Sequence, residues 1–105
     1  MIGMMHSLRE QIRRDARVIG WKRRGITITL DQYDALLIQQ DRRCAICRRL
    51  PTTRALNVDH DHKSGTVRGL LCFRCNRYLI HFWRGPTAIQ LFKRAAKYLE
   101  RADGA

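Results

Sequence analysis

Two Cys-x-x-Cys knuckles, Cys44-Ala45-Ile46-Cys47 and Cys72-Phe73-Arg74-Cys75, limit what this chain can fold into more than any other feature. Each knuckle turns two sulfurs toward one point, and two knuckles complete a tetrahedron around a single Zn²⁺. Four thiolates close that shell and leave no position for water, so the spacing implies a structural ion and not a catalytic one. A redox Cys-x-x-Cys, disulfides or unrelated buried cysteines are the rival readings. No signal peptide is visible, and in the reducing cytoplasm this implies, paired cysteines favour metal. Arg42, Arg43, Arg48, Arg49 and Arg74 crowd the knuckles and would help to keep the thiols ionised.

Between the knuckles, residues 48–71 give 24 positions, room for a loop and one hairpin. Leu56 to His62 is strand-like, Lys63-Ser64-Gly65-Thr66 is a turn in which Gly65 can take positive φ, and Val67 to Leu71 is the return strand. Upstream, Thr29 and Gln32 form a capping box with Asp31 in the first turn. The helix they open shows Tyr33, Leu36, Leu37 and Gln40 on one face and should end just before Cys44. Downstream, Asn76 to Phe82 opens a helix, Arg84-Gly85-Pro86 interrupts it, and Thr87 to Arg101 forms a last one. In that last helix Ile89, Phe92, Ala96 and Leu99 make a stripe expected in the core. Residues 7–24 are either a mobile charged arm or a short amphipathic helix with Leu8, Ile12, Ala16 and Ile19 on its apolar side.

At 105 residues the chain is one domain with a modest core, and with 29% charged residues a metal staple would supplement that core. Two segments are expected, a basic N-terminal arm or helix over 1–28 and a main domain over 29–105. The fold class is α+β: a small zinc-stapled β-hairpin plus helix, flanked by α-helices. No stretch reaches the ~20 apolar residues of a membrane span. Lys and Arg number 21 against 9 acidic residues, a net charge of +12, and a phosphate backbone is the first partner such an excess suggests. An anionic membrane surface is the second.

The hairpin also carries Asp59-His60-Asp61-His62, and Asn76 follows the last cysteine directly. Asp and Asn oxygens suit Mg²⁺, which takes one or two protein ligands and keeps several waters. Histidine, the side chain that ordinarily titrates near neutral pH, suits proton abstraction from water. A helix start at Asn76 would also turn backbone N–H groups toward phosphate. Adjacent strand residues point to opposite faces, so Asp59 and His60 can serve one site only if the strand bends or ends there.

From about Tyr33 to Leu99 the chain resembles the phage recombination endonuclease VII family, within the His-Me finger (HNH, ββα-metal) nucleases. The residues that carry the resemblance are Cys44-x-x-Cys47, Asp59-His60-Asp61-His62-x-x-Gly65-x-Val67-Arg68-Gly69-Leu70-Leu71-Cys72, and Cys75-Asn76. It implies Mg²⁺ or another divalent cation on Asp59 and Asn76, His60 as general base, and His62 as a second active-site histidine against the phosphate or leaving group. For Arg68 it leaves phosphate contact and hairpin packing equally open. Relatives often carry a Gly shortly after the Cys-Asn pair, where this chain has Tyr78-Leu79-Ile80.

The expectation is therefore a phage-encoded, Mg²⁺-dependent DNA endonuclease that hydrolyses phosphodiester bonds, working in the host cytoplasm. Nicking and cleavage of junctions or branched DNA are both open. Zn²⁺ would be held by Cys44, Cys47, Cys72 and Cys75, and DNA contacted by Arg23, Arg24, Arg68 and Arg74. The alternative is a non-catalytic zinc-stabilised module that binds DNA or a phage packaging protein. Further partners, a second copy of the chain or other phage proteins, are open; junction cleavage would need two coordinated cuts and hence a dimer.

Overall fold

The computed structural model describes residues 7–81 and the helix Gly85–Ala102. In chain order the elements are α1 (Leu8–Arg23), α2 (Leu30–Gln39), β1 (Asn57–His60), β2 (Val67–Leu71), a π-helix (Cys75–Ile80) and α3 (Gly85–Ala102). The strands pair antiparallel as one hairpin. This is the α+β arrangement expected, with the hairpin enclosed between the two cysteine knuckles.

The basic N-terminal segment is a helix and not an arm. Ser7 Oγ accepts the Glu10 N–H at 3.1 Å and caps it. Its inward face differs from the expected one. Leu8, Ile12 and Ile19 are 76%, 57% and 53% exposed, whereas Arg14, Arg17, Val18 and Trp21 turn inward. These four stand at helical spacing, but two are arginines, which a hydrophobicity pattern counts as outward. Each arginine has a specific reason to point in. Arg14 donates two bonds to the Asp34 carboxylate, at 3.0 and 3.3 Å, and holds that carboxyl below the usual carboxylate range. Arg17 lies 5.1 Å from the centre of the Tyr33 ring. The Trp21 and Tyr33 rings are 5.4 Å apart. Long arginine stems thus cover apolar surface while their charged ends find a carboxylate or a ring.

Helix α2 follows its sequence signals closely. Thr29 and Gln32 form both bonds of the capping box, at 2.9 and 3.1 Å. The helix stops at Gln39, short of Cys44, because Asp41 and Arg42 take left-handed conformations at φ 56° and 59°. Tyr33 is buried, and its hydroxyl donates to Leu56 O at 2.7 Å, fixing the chain where it enters β1. The core gathers Trp21, Ile26, Tyr33, Cys44, Leu56, Val58, Leu70 and Leu71.

Gln40 joins α2 to the hairpin. Its amide donates to Leu70 O at 2.9 Å and accepts from Leu70 N–H at 2.9 Å, as a neighbouring strand would. Ala45 N–H adds a bond to the same carbonyl at 3.1 Å. Gly69 makes the approach possible: a Cβ there would stand 3.3 Å from Gln40 Oε1. In the hairpin turn Gly65 adopts φ 77°, as its sequence position suggests.

Two expectations are corrected downstream. The segment after the second knuckle is helical, as expected from Asn76 on, but it starts at Cys75 and winds as a π-helix over Cys75–Ile80; Phe82 and Arg84 lie outside the described residues. The α3 stripe is not core. Of the stripe, Ile89, Ala96 and Leu99 are exposed and Phe92 is half-buried; α3 buries Ala88 instead, and among the described residues the main cluster closes between α1, α2 and the hairpin.

Replacing Gln40 by Ala strands the buried Leu70 N–H. The expected loss is ~1–3 kcal/mol, the cost of an unsatisfied buried amide. For a domain of this size each kcal/mol lowers Tm by roughly 4–8 °C. Thermal unfolding of the metal-loaded variant beside the wild type measures it, and a Tm equal to the wild type would refute the bracing role.

Candidate metal centre and active site

The four cysteines converge. All four Sγ atoms lie within 4.8 Å of one another, and Cys47 and Cys72 Sγ are 3.8 Å apart. A tetrahedron with Zn–S near 2.3 Å has edges of about 3.8 Å, the separation of Cys47 and Cys72 Sγ, so the cluster is of a size to close on one zinc ion. Each knuckle aims a backbone N–H at its first sulfur: Ile46 N–H to Cys44 Sγ and Cys75 N–H to Cys72 Sγ, both 3.4 Å. Arg48, in the first knuckle's turn, holds φ 64°, and Cys44 and Arg49 close that turn through Cys44 N–H to Arg49 O at 3.0 Å.

The thiols show what four sulfurs at this distance do to one another. Burial pushes the Cys44 thiol up, but N–H donors of the two knuckles outweigh it and bring it down to about 6. Cys75 moves the other way, raised by burial and by its three sulfur neighbours. One thiolate is readily formed and the last is resisted, a conflict that a divalent cation at the centre resolves.

Beside this cluster the hairpin breaks its own alternation. Asp59 pairs with Gly69, but His60 pairs with Val67, so Arg68 is an extra residue on β2 and the register shifts between Asp59 and His60. Such a bulge re-aims side chains near it. It lies on β2, opposite the step from Asp59 to His60, and brings Arg68 onto the face of Asp59. Arg68, left without a partner residue, turns its guanidinium onto Asp59: Nε to Oδ2 at 2.8 Å and an NH2 group to Oδ1 at 3.0 Å. Sequence reasoning left Arg68 between phosphate contact and packing; in the structure its partner is the Asp59 carboxylate.

Past the bulge, the His60 and His62 rings stand 4.7 Å apart. Asp61, between them, caps the hairpin turn by accepting from Lys63 and Ser64 N–H at 2.7 and 3.1 Å. Those donors hold its carboxyl below the usual range. A third histidine, His81, brings its ring 6.4 Å from that of His62. His81 N–H donates to Asn76 O at 3.0 Å across the π-turn. The sequence gives no cue to His81, since a five-residue step from Asn76 is not an α-helical repeat. Asn76 is fixed from the metal side: it follows Cys75 directly and donates its N–H to Cys72 O at 2.9 Å. His60, His62, Asp59 and Arg68 thus share the end of the hairpin, while Asn76 stands on the neighbouring π-helix.

The remaining basic candidates are spread out. Arg74 is exposed within the second knuckle, Arg23 is exposed at the end of α1, and Arg24 caps that helix and lines a cavity beside it. Among the described residues no helix is long and apolar enough to cross a membrane.

Residues 19–101 match the family described as recombination endonuclease VII. Two curated relatives are the Gene 59 protein of Mycobacterium phage L5, 48% identical over 73 residues, and that of Mycobacterium phage D29, 45% identical over 75. The aligned stretches cover 69% and 70% of this chain but 43% and 44% of those proteins, so the chain spans less than half the length of either. No solved structure matches significantly.

If the four sulfurs hold one zinc, the protein should bind a single equivalent of Zn²⁺ or Co²⁺, with Co²⁺ giving the spectrum of a tetrahedral thiolate site. Zinc in sites of this kind contributes apparent energies of ~10–16 kcal/mol at neutral pH. Cys72→Ser or a strong chelator should therefore unfold the hairpin. A metal-free protein with unchanged thermal stability would contradict this.

Proposed function

Because the chain belongs to the recombination endonuclease VII family, we propose that it is a metal-dependent endonuclease that hydrolyses phosphodiester bonds in DNA. The observation that carries the reading is the gathering of Asp59, His60 and His62 at the end of the hairpin, with Arg68 bulged out of β2 onto the Asp59 carboxylate. The family match and the phage relatives support it.

In this reading Asp59 and Asn76 supply a carboxylate and an amide oxygen to Mg²⁺ or another divalent cation. That donor set is of the kind such cations take, and Asp59 already holds a cation on both oxygens in the form of the Arg68 guanidinium. When bound, the ion supplies positive charge to the phosphate oxygens and the departing oxygen. His60 takes the proton from the attacking water. His62, within ring contact of His60, faces the phosphate or the leaving group. Arg68, displaced from Asp59, is left with two N–H donors that match phosphate oxygens. The cysteine cluster performs no step; it holds the π-helix, and with it Asn76, against the end of the hairpin.

A second reading, a non-catalytic zinc-stabilised module that binds DNA or a phage packaging protein, is favoured by that same Arg68–Asp59 pair, since a neutralised carboxylate needs no metal. The two readings separate on His60. His60→Ala should keep fold, zinc and DNA affinity while slowing plasmid nicking in Mg²⁺ by ~10²–10⁴, the usual reach of general-base catalysis. Asp59→Ala should weaken the response to Mg²⁺, with partial recovery at higher metal. Nicking by His60→Ala at the wild-type rate would move the module reading ahead.

DNA binding should also be strongly salt-dependent, given the +12 net charge. If about 5 phosphates are neutralised, log K should fall with a slope of roughly −4.5 against log salt. A flat response in a salt titration would argue against phosphate as the main contact.

A further inference from the structure

Beside the hairpin, between α1 and the loop that leads into β1, lies a cavity of about 400 Å³. Arg13, Arg17, Arg24 and Arg54 line it, and its floor is the apolar edge of the core, where Trp21, Ile26, Leu56 and Val58 lie almost fully buried. Among the described residues none that lines it is acidic. Among the described residues no carboxylate lies within ion-pair distance of the four arginines, whereas Arg14 and Arg68 elsewhere are both paired. Two of the four guanidiniums are held over aromatic rings instead: Arg17 over Tyr33 at 5.1 Å and Arg54 over Phe73 at 4.4 Å. Four like charges around one cavity repel one another unless an anion is present.

The combination is selective. Phosphates alone would be served by charges on an open surface, and the apolar floor would be wasted on them. A double helix keeps its bases stacked inside and offers such a floor nothing. An unpaired nucleotide presents both parts at once, a phosphate for the arginines and a flat base for the apolar floor and guanidinium planes. The cavity also runs along Asn57 and Val58 of β1, the two residues before Asp59 and His60. At about 3.3 Å per strand residue, it ends within roughly 7 Å of the hairpin site. Arg13, Ala16 and Arg17 of the lining precede the part of the chain that matches the family, and the rest of the groove lies within it.

We propose that this groove binds an unpaired segment of the DNA strand next to the position of cleavage. This rests on the reading of the chain as a DNA endonuclease. It adds that the protein grips single-stranded DNA at a defined place, separate from its diffuse attraction to phosphate.

The test is equilibrium binding of the zinc-loaded chain, without Mg²⁺, to a labelled 12-nucleotide single strand and to the matching 12-base-pair duplex. Two double variants remove equal charge: Arg13→Gln with Arg54→Gln inside the groove, and Lys22→Gln with Arg23→Gln on the exposed end of α1. A third variant, Ala16→Glu, keeps every arginine and places a carboxylate at the groove. The groove pair should lose about tenfold or more of single-strand affinity, with the salt slope reduced by about 1.4, and should change duplex affinity by less than about threefold. The control pair should weaken both forms alike, and Ala16→Glu should reproduce the groove pair. Equal losses for the groove and control pairs on both DNAs would overturn the groove while leaving the nuclease reading standing. If wild type binds neither DNA, both fall together. Circular dichroism of each variant separates lost binding from lost fold.

Discussion

Four sulfurs gathered within 4.8 Å are the constraint from which the rest of this structure follows. They join the chain just after α2 to the end of β2 and the start of the π-helix. The segment between the knuckles has no choice but to return on itself, and the hairpin is that return. Its own backbone pairing is short, four residues against five. An isolated hairpin of this size is marginal in water. It persists because Gln40 and Ala45 bond to Leu70 on one side and the Tyr33 hydroxyl fixes Leu56 on the other. The metal centre thus supports the residues around it less by touching them than by deciding where three chain segments can be.

The second organising interaction is the bidentate pair of Arg68 and Asp59. Its side chains are 47% and 12% exposed, so the carboxylate is mostly withdrawn from water and already compensated. A buried carboxylate without a partner would be costly. The guanidinium therefore keeps the site folded in the absence of other cations. It also makes any incoming ion compete for the same two oxygens. One residue, displaced from the ladder by a bulge, supplies the countercharge of that carboxylate.

Much of the fold is legible in the sequence where a residue type has one physical use. The knuckles, the Thr29–Gln32 capping box and the positive φ of Gly65 are of that kind, and each takes its expected form. The sequence misleads where a residue has two uses. Arg14 and Arg17 read as solvent-facing charges, yet they form the inner face of α1, because one finds a carboxylate and the other a ring. The stripe on α3 reads as core by periodicity alone, but periodicity tells which residues share a face and not whether anything covers it. At the hairpin, the identities of Asp59, His60 and His62 are plain, while the register shift that turns Arg68 onto Asp59, and His81 near His62, leave no mark in the pattern. Gln40 was correctly placed on the inner face of its helix, but its strand-like bonds to Leu70 are a tertiary fact.

The bulge has a consequence for how sequences of this kind diverge. A site built on regular strands tolerates a change of length at the turn and suffers when a letter changes. Here the reverse dependence is added. Deleting Arg68, or any one residue of β2 that restores even pairing, would leave Asp59, His60, His62, Asn76 and all four cysteines in the text of the sequence. The Asp59 carboxylate would nevertheless lose the bidentate partner that the bulge turns onto it. A comparison that counted only the cysteines and the Asp, His and Asn residues would still find such a chain complete. For this hairpin, the number of residues between Val67 and Gly69 is as much a part of the site as the residues themselves.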